Sequence, residues 1–322
     1  MSSRTPVVVD CDPGVDDAAA LLYLLAHDGV DVVGITTVFG NNTAAVCAVN
    51  ALRILELVGR TDIPVAVGAE APVVGPAPEL ALEVHGVDGL GDAGLPPLGD
   101  ARPVEESAVE LIDRLSHEHA GRLRILAVAP LTNLADALER VPGLVDRVAD
   151  VVIMGGAADA PGNMTVAGEA NVLHDPEAAQ AVISAPWETT LVPLDVTMRD
   201  VMVEDHLARL RASGSRAAAF IADASEHYFD FYYADAFDMR AAAQHDALAA
   251  GVLTGDVVPL SAPVLQVTVD CTDGAARGKT WCDTRQRYRD YTRGPAGNCR
   301  VVLETDGRFS DLLTERLGGI ES

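Results

Sequence analysis

The sequence predicts an α/β fold: an open, mostly parallel sheet flanked by helices, with a helical insertion, folded as one domain over residues 1–322. Three observations predict it. Short β-branched runs alternate with helical patterns through roughly the first 200 residues, and βαβα order makes a parallel sheet covered on both faces. Glu204 to Leu253 then reads as helices only. No internal repeat or low-complexity linker divides the chain.

The elements follow in order. Val7-Val8-Val9 is a strand, and a helix runs from about Asp16 to His27. Val32 to Val38 is the second strand. Thr43 can cap a helix that reaches Val58 and ends at Gly59. Pro64 to Val67 is a third strand. Residues 70–103, rich in Gly and Pro, form a loop of the length that is usually functional or mobile. A helix from about Glu105 to His119 precedes the strand Arg124 to Val128. Leu131 to Leu138 is a helix, Val151 to Met154 a strand, and Gly155 to His174 a second long loop. Asp175 and Pro176 supply an N-cap and first position for the next helix. That reading makes His174-Asp175 a structural pair. Thr189 to Leu194 is another strand. Beyond the helical segment, Val264 to Val269 and Val301 to Leu303 are strands, and a last helix lies near Leu312.

Composition narrows the partners. Asp and Glu number 48 against 23 Lys and Arg, a net charge of −25, and 49% of residues are hydrophobic. So apolar a chain is not mainly disordered. Nucleic-acid binders carry a basic footprint, so no nucleic-acid partner is expected, and no anionic membrane surface either. Arg285, Arg287, Arg289 and Arg293 form a local basic cluster that reads as a solvated loop or subunit contact. The longest apolar run, Ala18 to Ala26, is too short to cross a bilayer, and the start lacks a signal-peptide pattern. Five scattered cysteines without a Cys-x-x-Cys argue against a zinc site or disulfide framework. The expectation is a cytoplasmic protein acting on a neutral substrate or a cation.

Asp10-Cys11-Asp12-Pro13-Gly14-Val15-Asp16-Asp17 places four carboxylates within eight residues, at the carboxyl end of the first strand. Open α/β sheets bind ligands at that edge. Gly14 permits a tight turn. A helix N-terminus favours a negative charge by only ~0.3–1 kcal/mol, too little to hold four carboxylates together. Crowded carboxylates raise one another's pKa unless a cation intervenes, and a hard cation with oxygen ligands is the economical solution. The bland alternative has Asp16 and Asp17 capping a helix and Asp10 in solvent.

This stretch resembles the N-terminal motif of the inosine–uridine-preferring nucleoside hydrolase family. Further blocks similar to that family follow in order: Thr37-Val38-Phe39-Gly40-Asn41, His85-Gly86-Val87-Asp88-Gly89-Leu90-Gly91 and Ala129-Pro130-Leu131-Thr132-Asn133-Leu134. Met154-Gly155-Gly156, Gly162-Asn163, Glu169-Ala170-Asn171 and His245-Asp246-Ala247-Leu248-Ala249 complete the set. The resemblance covers nearly the whole chain. It implies a Rossmann-like nucleoside hydrolase fold and cleavage of ribonucleosides to ribose and free base. It also implies a calcium ion (Ca2+) deep in the cleft, with Asp12, Asp17, Asp246 and the backbone carbonyl of Val128 as ligands.

By the same resemblance Asp12 is the general base toward a water, and the transition state is oxocarbenium-like. Asp16 and Asn41 look like partners of the 2′ and 3′ hydroxyls, which the ion also grips; Asp246 belongs to this substrate group too. Asn163, Glu169 and Asn171 look like ribose contacts, with Glu169 near the 5′ hydroxyl. His245 occupies the position of the leaving-group acid, a task that suits a near-neutral pKa. His85 either reaches the base or folds over the cleft. Among Tyr228, Phe229, Phe231, Tyr232, Tyr233 and Phe237, Tyr233 is the favoured base contact. Ala170 departs from the pattern, standing where some relatives place an aromatic. Relatives are commonly dimers or tetramers, so a homodimer or homotetramer is expected.

Other signals carry less. Gly89 to Gly94 matches G-x-G-x-x-G without the strand and helix a dinucleotide site needs, and Gly274 to Thr280 is one residue short of a P-loop. A metal-dependent phosphohydrolase using Asp10 and Asp12 is the rival enzyme, though Gly14 stands where that chemistry prefers Thr or Val. A non-catalytic nucleoside- or ribose-binding protein is the second rival, and intact Asp12, Asp17 and Asp246 argue against it.

Overall fold

The computed structural model describes residues 4–292 and 294–321, so Arg293 of the basic cluster lies outside the described residues. The first half runs β1 (Thr5–Cys11), α1 (Val15–Leu25), β2 (Val30–Thr37), α2 (Ala44–Leu57), β3 (Val65–Val67), α3 (Leu82–His85), α4 (Ala108–Glu118) and β4 (Leu123–Ala127). Next come α5 (Thr132–Arg140), α6 (Leu144–Arg147), β5 (Val148–Met154), α7 (Ala170–His174), α8 (Pro176–Ser184), β6 (Thr189–Val192) and α9 (Leu194–Thr197). The rest is β7 (Val201–Val203), α10 (Glu204–Ala212), α11 (Arg216–Asp235), β8 (Ala241–Ala243), α12 (His245–Thr254), β9 (Val264–Leu265), β10 (Val267–Val269), β11 (Thr280–Cys282), β12 (Cys299–Val301) and α13 (Phe309–Gly318).

Eight strands form the central sheet in the order β3-β2-β1-β4-β5-β6-β12-β9. All neighbours pair parallel except β12 and β9. Each strand has two apolar faces because helices cover both sides of the sheet. Val7, Val9 and Cys11 of β1 point into a core shared with α1, α2, α12 and α13. Val8 points into the opposite core, shared with α4, α5 and α8. Strand order reverses between β1 and β4, where a crevice opens at the carboxyl ends of open α/β sheets. The acidic motif leaves β1 at that point.

The structure corrects several boundaries, among them the strand expected over Thr189–Leu194, which ends at Val192, and the expected 70–103 loop, which contains the helix Leu82–His85. The Glu204–Leu253 region is not helical throughout, because Ala241–Ala243 pairs antiparallel with β7. Three alanines favour a helix intrinsically, and the tertiary pairing overrides that. The second long loop ends early, in α7. Val264–Val269 divides at Gln266: Val264–Leu265 extends the central sheet and Val267–Val269 pairs with β11. The last strand is Cys299–Val301, slightly earlier than expected. Among the described residues no helix is long and apolar enough to cross a membrane. Two of the cluster arginines are engaged internally, Arg285 with Asp283 and Arg287 with Asp159.

Candidate active site

The turn between β1 and α1 is tied by its own carboxylates. Asp17 accepts the N–H groups of Asp12 (3.2 Å) and Gly14 (2.9 Å). Asn41 donates its backbone N–H to Asp12 Oδ2 (2.7 Å) and its side-chain amide to the Asp12 carbonyl and Asp17 Oδ2 (both 3.2 Å). Two glycines are needed for this closeness. A Cβ on Gly14 would lie 2.6 Å from His85 Nδ1, and one on Gly40 would lie 2.0 Å from Asp12 Oδ2.

Asp246, in the first turn of α12, completes the acidic group. Asp16, Asp17 and Asp246 each place an oxygen within 4.8 Å of the others, and all three are buried. Asp12 is 2% exposed, and its Oδ1 has no hydrogen-bond partner. Burial, then neighbouring Asp17, pushes Asp12 well above the carboxylate range. Burial, then Asp16 and Asp17, does the same to Asp246. Burial raises Asp16 to about 7, with Asp17 adding to it, and raises Asp17 to about 6. Among the described residues no Arg or Lys pairs with any of the four. An orphaned carboxylate oxygen beside three buried acids is an all-oxygen donor set, which fits a hard divalent cation. The Val128 carbonyl, at the end of neighbouring β4, accepts the side-chain amide of Asn171 (3.3 Å).

Asp10 lies beneath this group and is not solvated. It is fully buried, with Oδ1 accepting from Thr36 (2.6 Å) and Asn133 (2.8 Å), and burial raises it to about 6. Glu169 caps α7: its carboxylate accepts the N–H groups of Gly156 (2.7 Å), Asn171 (3.0 Å) and Val172 (3.2 Å). Burial raises its pKa as well. Asn171 also donates to the Met154 carbonyl (3.2 Å). Asn163 is exposed and accepts the N–H of Ala170 (3.0 Å). Asp175 caps α8 as expected, accepting from Ala178 (3.1 Å).

Two buried histidines border the acids. His85 accepts the N–H of Val15 at Nδ1 (3.1 Å), which leaves its proton on Nε2. It stacks on Tyr228 at 5.4 Å, with Asp16 Oδ1 at 3.9 Å. Burial, then His245 and His227, lowers it to about 3. His245 bonds Thr197 Oγ1 through Nδ1 (2.7 Å) and the Tyr232 hydroxyl through Nε2. Burial pushes it down to about 4, so the near-neutral pKa expected of it is corrected. Outside water, the imidazolium is costlier than the neutral ring.

The sequence profile of the family described as "Inosine-uridine preferring nucleoside hydrolase" matches residues 7–310. The chain belongs to this family. It is 34% identical over 321 residues to the pyrimidine-specific ribonucleoside hydrolase RihA of Escherichia coli O9:H4 (strain HS), covering 97% of this chain and 98% of that protein. It is 33% identical over 318 residues to the inosine-uridine preferring nucleoside hydrolase of Crithidia fasciculata, with the same coverage of 97% and 98%. The solved plant nucleoside hydrolase PpNRh1 superposes with a TM-score of 0.91 at 31% identity, covering 98% of this chain and 100% of that one. The protein is therefore a nucleoside hydrolase.

In this nucleoside hydrolase the expected residues converge unevenly. Asp12, Asp16, Asp17, His85 and Asp246 share one buried cluster, to which half-buried Asn41 is hydrogen-bonded. Glu169, Asn171 and the Val128 carbonyl meet beside β5, while Asn163 sits outside on the loop. Tyr233 does not join them. It is 56% exposed, whereas Tyr228 (2%) and Tyr232 (6%) turn inward. Residues four apart share a helix face, so the 228/232 pair was the available signal. Thr197, which holds the far side of His245, was missed, and nothing in its local sequence marks it.

Proposed function

We propose that this nucleoside hydrolase cleaves the N-glycosidic bond of ribonucleosides with calcium held by Asp12, Asp17, Asp246 and the Val128 carbonyl. The observation that carries the reading is the unpartnered Asp12 Oδ1 beside buried Asp16, Asp17 and Asp246. When bound, calcium supplies charge that acidifies a water and grips vicinal hydroxyls. Asp12 takes the proton of the attacking water. Its Oδ2 is anchored by the Asn41 N–H, so Oδ1 remains the free acceptor. The buried carboxylates stabilise positive charge as it develops on the ribose ring.

Asp16 and Asn41 bind the 2′ and 3′ hydroxyls in this reading, and Glu169, Asn171 and Asn163 serve the rest of the sugar. His245 is neutral at pH 7 and shares a hydrogen bond with the Tyr232 hydroxyl, so the pair can offer a hydrogen bond to the departing base, any proton it gives up being replaced from water. Tyr228 and Tyr232 replace Tyr233 as the aromatics nearest the base. The protein is read as a cytoplasmic homodimer or homotetramer, on sequence grounds alone.

The test is release of free base from a panel of purine and pyrimidine ribonucleosides with calcium present. Base release supports the reading, and the ranking reports the preferred base. Tight nucleoside binding without release, or phosphate release from nucleotides alone, contradicts it.

A further inference from the structure

The segment 156–160 leaves β5 and leads into the loop that carries Asn163 and Glu169. Its backbone is held by side chains from distant parts of the chain. Asp195, buried in α9, accepts the N–H groups of Ala158 (2.8 Å), Asp159 (2.8 Å) and Ala160 (3.1 Å). Lys279, just before β11, donates to the carbonyls of Ala157 (2.9 Å), Ala158 (3.3 Å) and Ala160 (3.5 Å). Thr280 accepts the N–H of Ala157 (2.9 Å) and donates to its carbonyl (2.8 Å). Arg287 pairs with the Asp159 carboxylate (2.8 Å). Lys279 is the single lysine of the chain, and it is committed to peptide carbonyls.

The following stretch, 161–168, bonds mainly to itself. Met164 and Thr165 donate to the Gly168 carbonyl, and Thr165 Oγ1 accepts from Ala167 and Gly168. Met164 is 56% exposed and Val166 82%. Its placement is therefore set at its two ends. One end is the Asp195–Lys279 clamp. The other is Glu169, which also reaches back to the Gly156 N–H.

We infer that Asp195 and Lys279 are positioning residues that set substrate affinity by holding segment 157–160, and with it the loop bearing Asn163 and Glu169. The inference rests on the proposed reading, in which those two residues contact ribose. Charged partners hold peptide groups more strongly than neutral ones. Without the lysine, the Ala158 and Ala160 carbonyls lose this donor, Ala157 keeps only Thr280, and the segment samples other positions. Substrate must then reorder it, which weakens binding more than it slows chemistry.

The experiment compares the calcium-loaded wild type with Lys279→Met, Lys279→Arg and Asp195→Asn. Steady-state kinetics use the wild type's best ribonucleoside, and hydrogen exchange of residues 157–168 is read without nucleoside. Lys279→Met is expected to raise KM about tenfold with a smaller fall in kcat, and Lys279→Arg to recover most of the affinity. Exchange at 157–168 should quicken in Lys279→Met while β1 and β4 stay protected. Should that variant fail to fold, Asp195→Asn, which keeps one acceptor oxygen, must show the same split. Unaltered exchange overturns the clamp. Faster exchange with an unchanged KM overturns its role in affinity. A wild type that releases no base overturns the functional reading itself, and exchange then still decides the clamp.

Discussion

Asp12 is buried with one oxygen anchored and the other free, and its proposed role follows from that division. Asp12→Asn keeps the shape but removes the base. Turnover should fall by about 10²–10⁴, the usual worth of a general base, with little loss of folding stability. Initial rates and a thermal melt on one preparation check both halves; near-wild-type rates contradict the assignment. His245 is a different case. Its buried ring is neutral, so its contribution scales with how badly the leaving group needs a proton. His245→Ala should cost about 10²-fold or more on ordinary ribonucleosides and far less on a nitrophenyl riboside, whose leaving group needs no proton. Equal losses on both substrates would point to a structural role.

Among the elements, the parallel strands were legible because each is a short apolar run bounded by turn residues. β8 was not, since Ala241-Ala242-Ala243 carries no β-branched signal and becomes a strand only by pairing with β7. The α7 cap was hidden for another reason. Glu169 is not among the usual N-cap types, and only the fold brings Gly156 to it. Tyr232 rather than Tyr233 faces inward, and the phase of α11 cannot be read from sequence until one face is known to be buried. The α7–α8 junction yields a pH prediction. His174 is half-buried with its Nδ1 atom buried and unpartnered, and desolvation lowers its pKa from 6.5 to about 4. Between those values the unfolded chain binds the proton and the folded one does not. Stability should therefore fall as pH drops from about 6.5 to 4 and level off below. Urea unfolding across that range should show His174→Leu losing part of the slope, at most about 3 kcal/mol. Parallel slopes in the two proteins would refute it.

At the scale of the whole molecule, topology and charge act together. The strand order reverses between β1 and β4, the point where open α/β sheets bind ligands, and the end of β1 places the Asp10–Asp17 motif there. The crowding of carboxylates was legible in sequence. The contribution of Asp246 was not legible from local pattern, because α12 reaches the cluster only in the folded chain. A net charge of −25 repels anions, so nucleoside 5′-monophosphates should be poorer substrates than nucleosides, by about tenfold in kcat/KM at low salt. Added salt should narrow that gap. Comparable efficiency at low salt would contradict the electrostatic reading. The calcium proposed for this site can be tested directly. One preparation should be stripped with chelator, assayed for base release, titrated with calcium and assayed again. Turnover is expected to be lost on stripping and to recover with a single ion per chain. Full activity in the stripped protein, with its calcium content measured as nil, would contradict it.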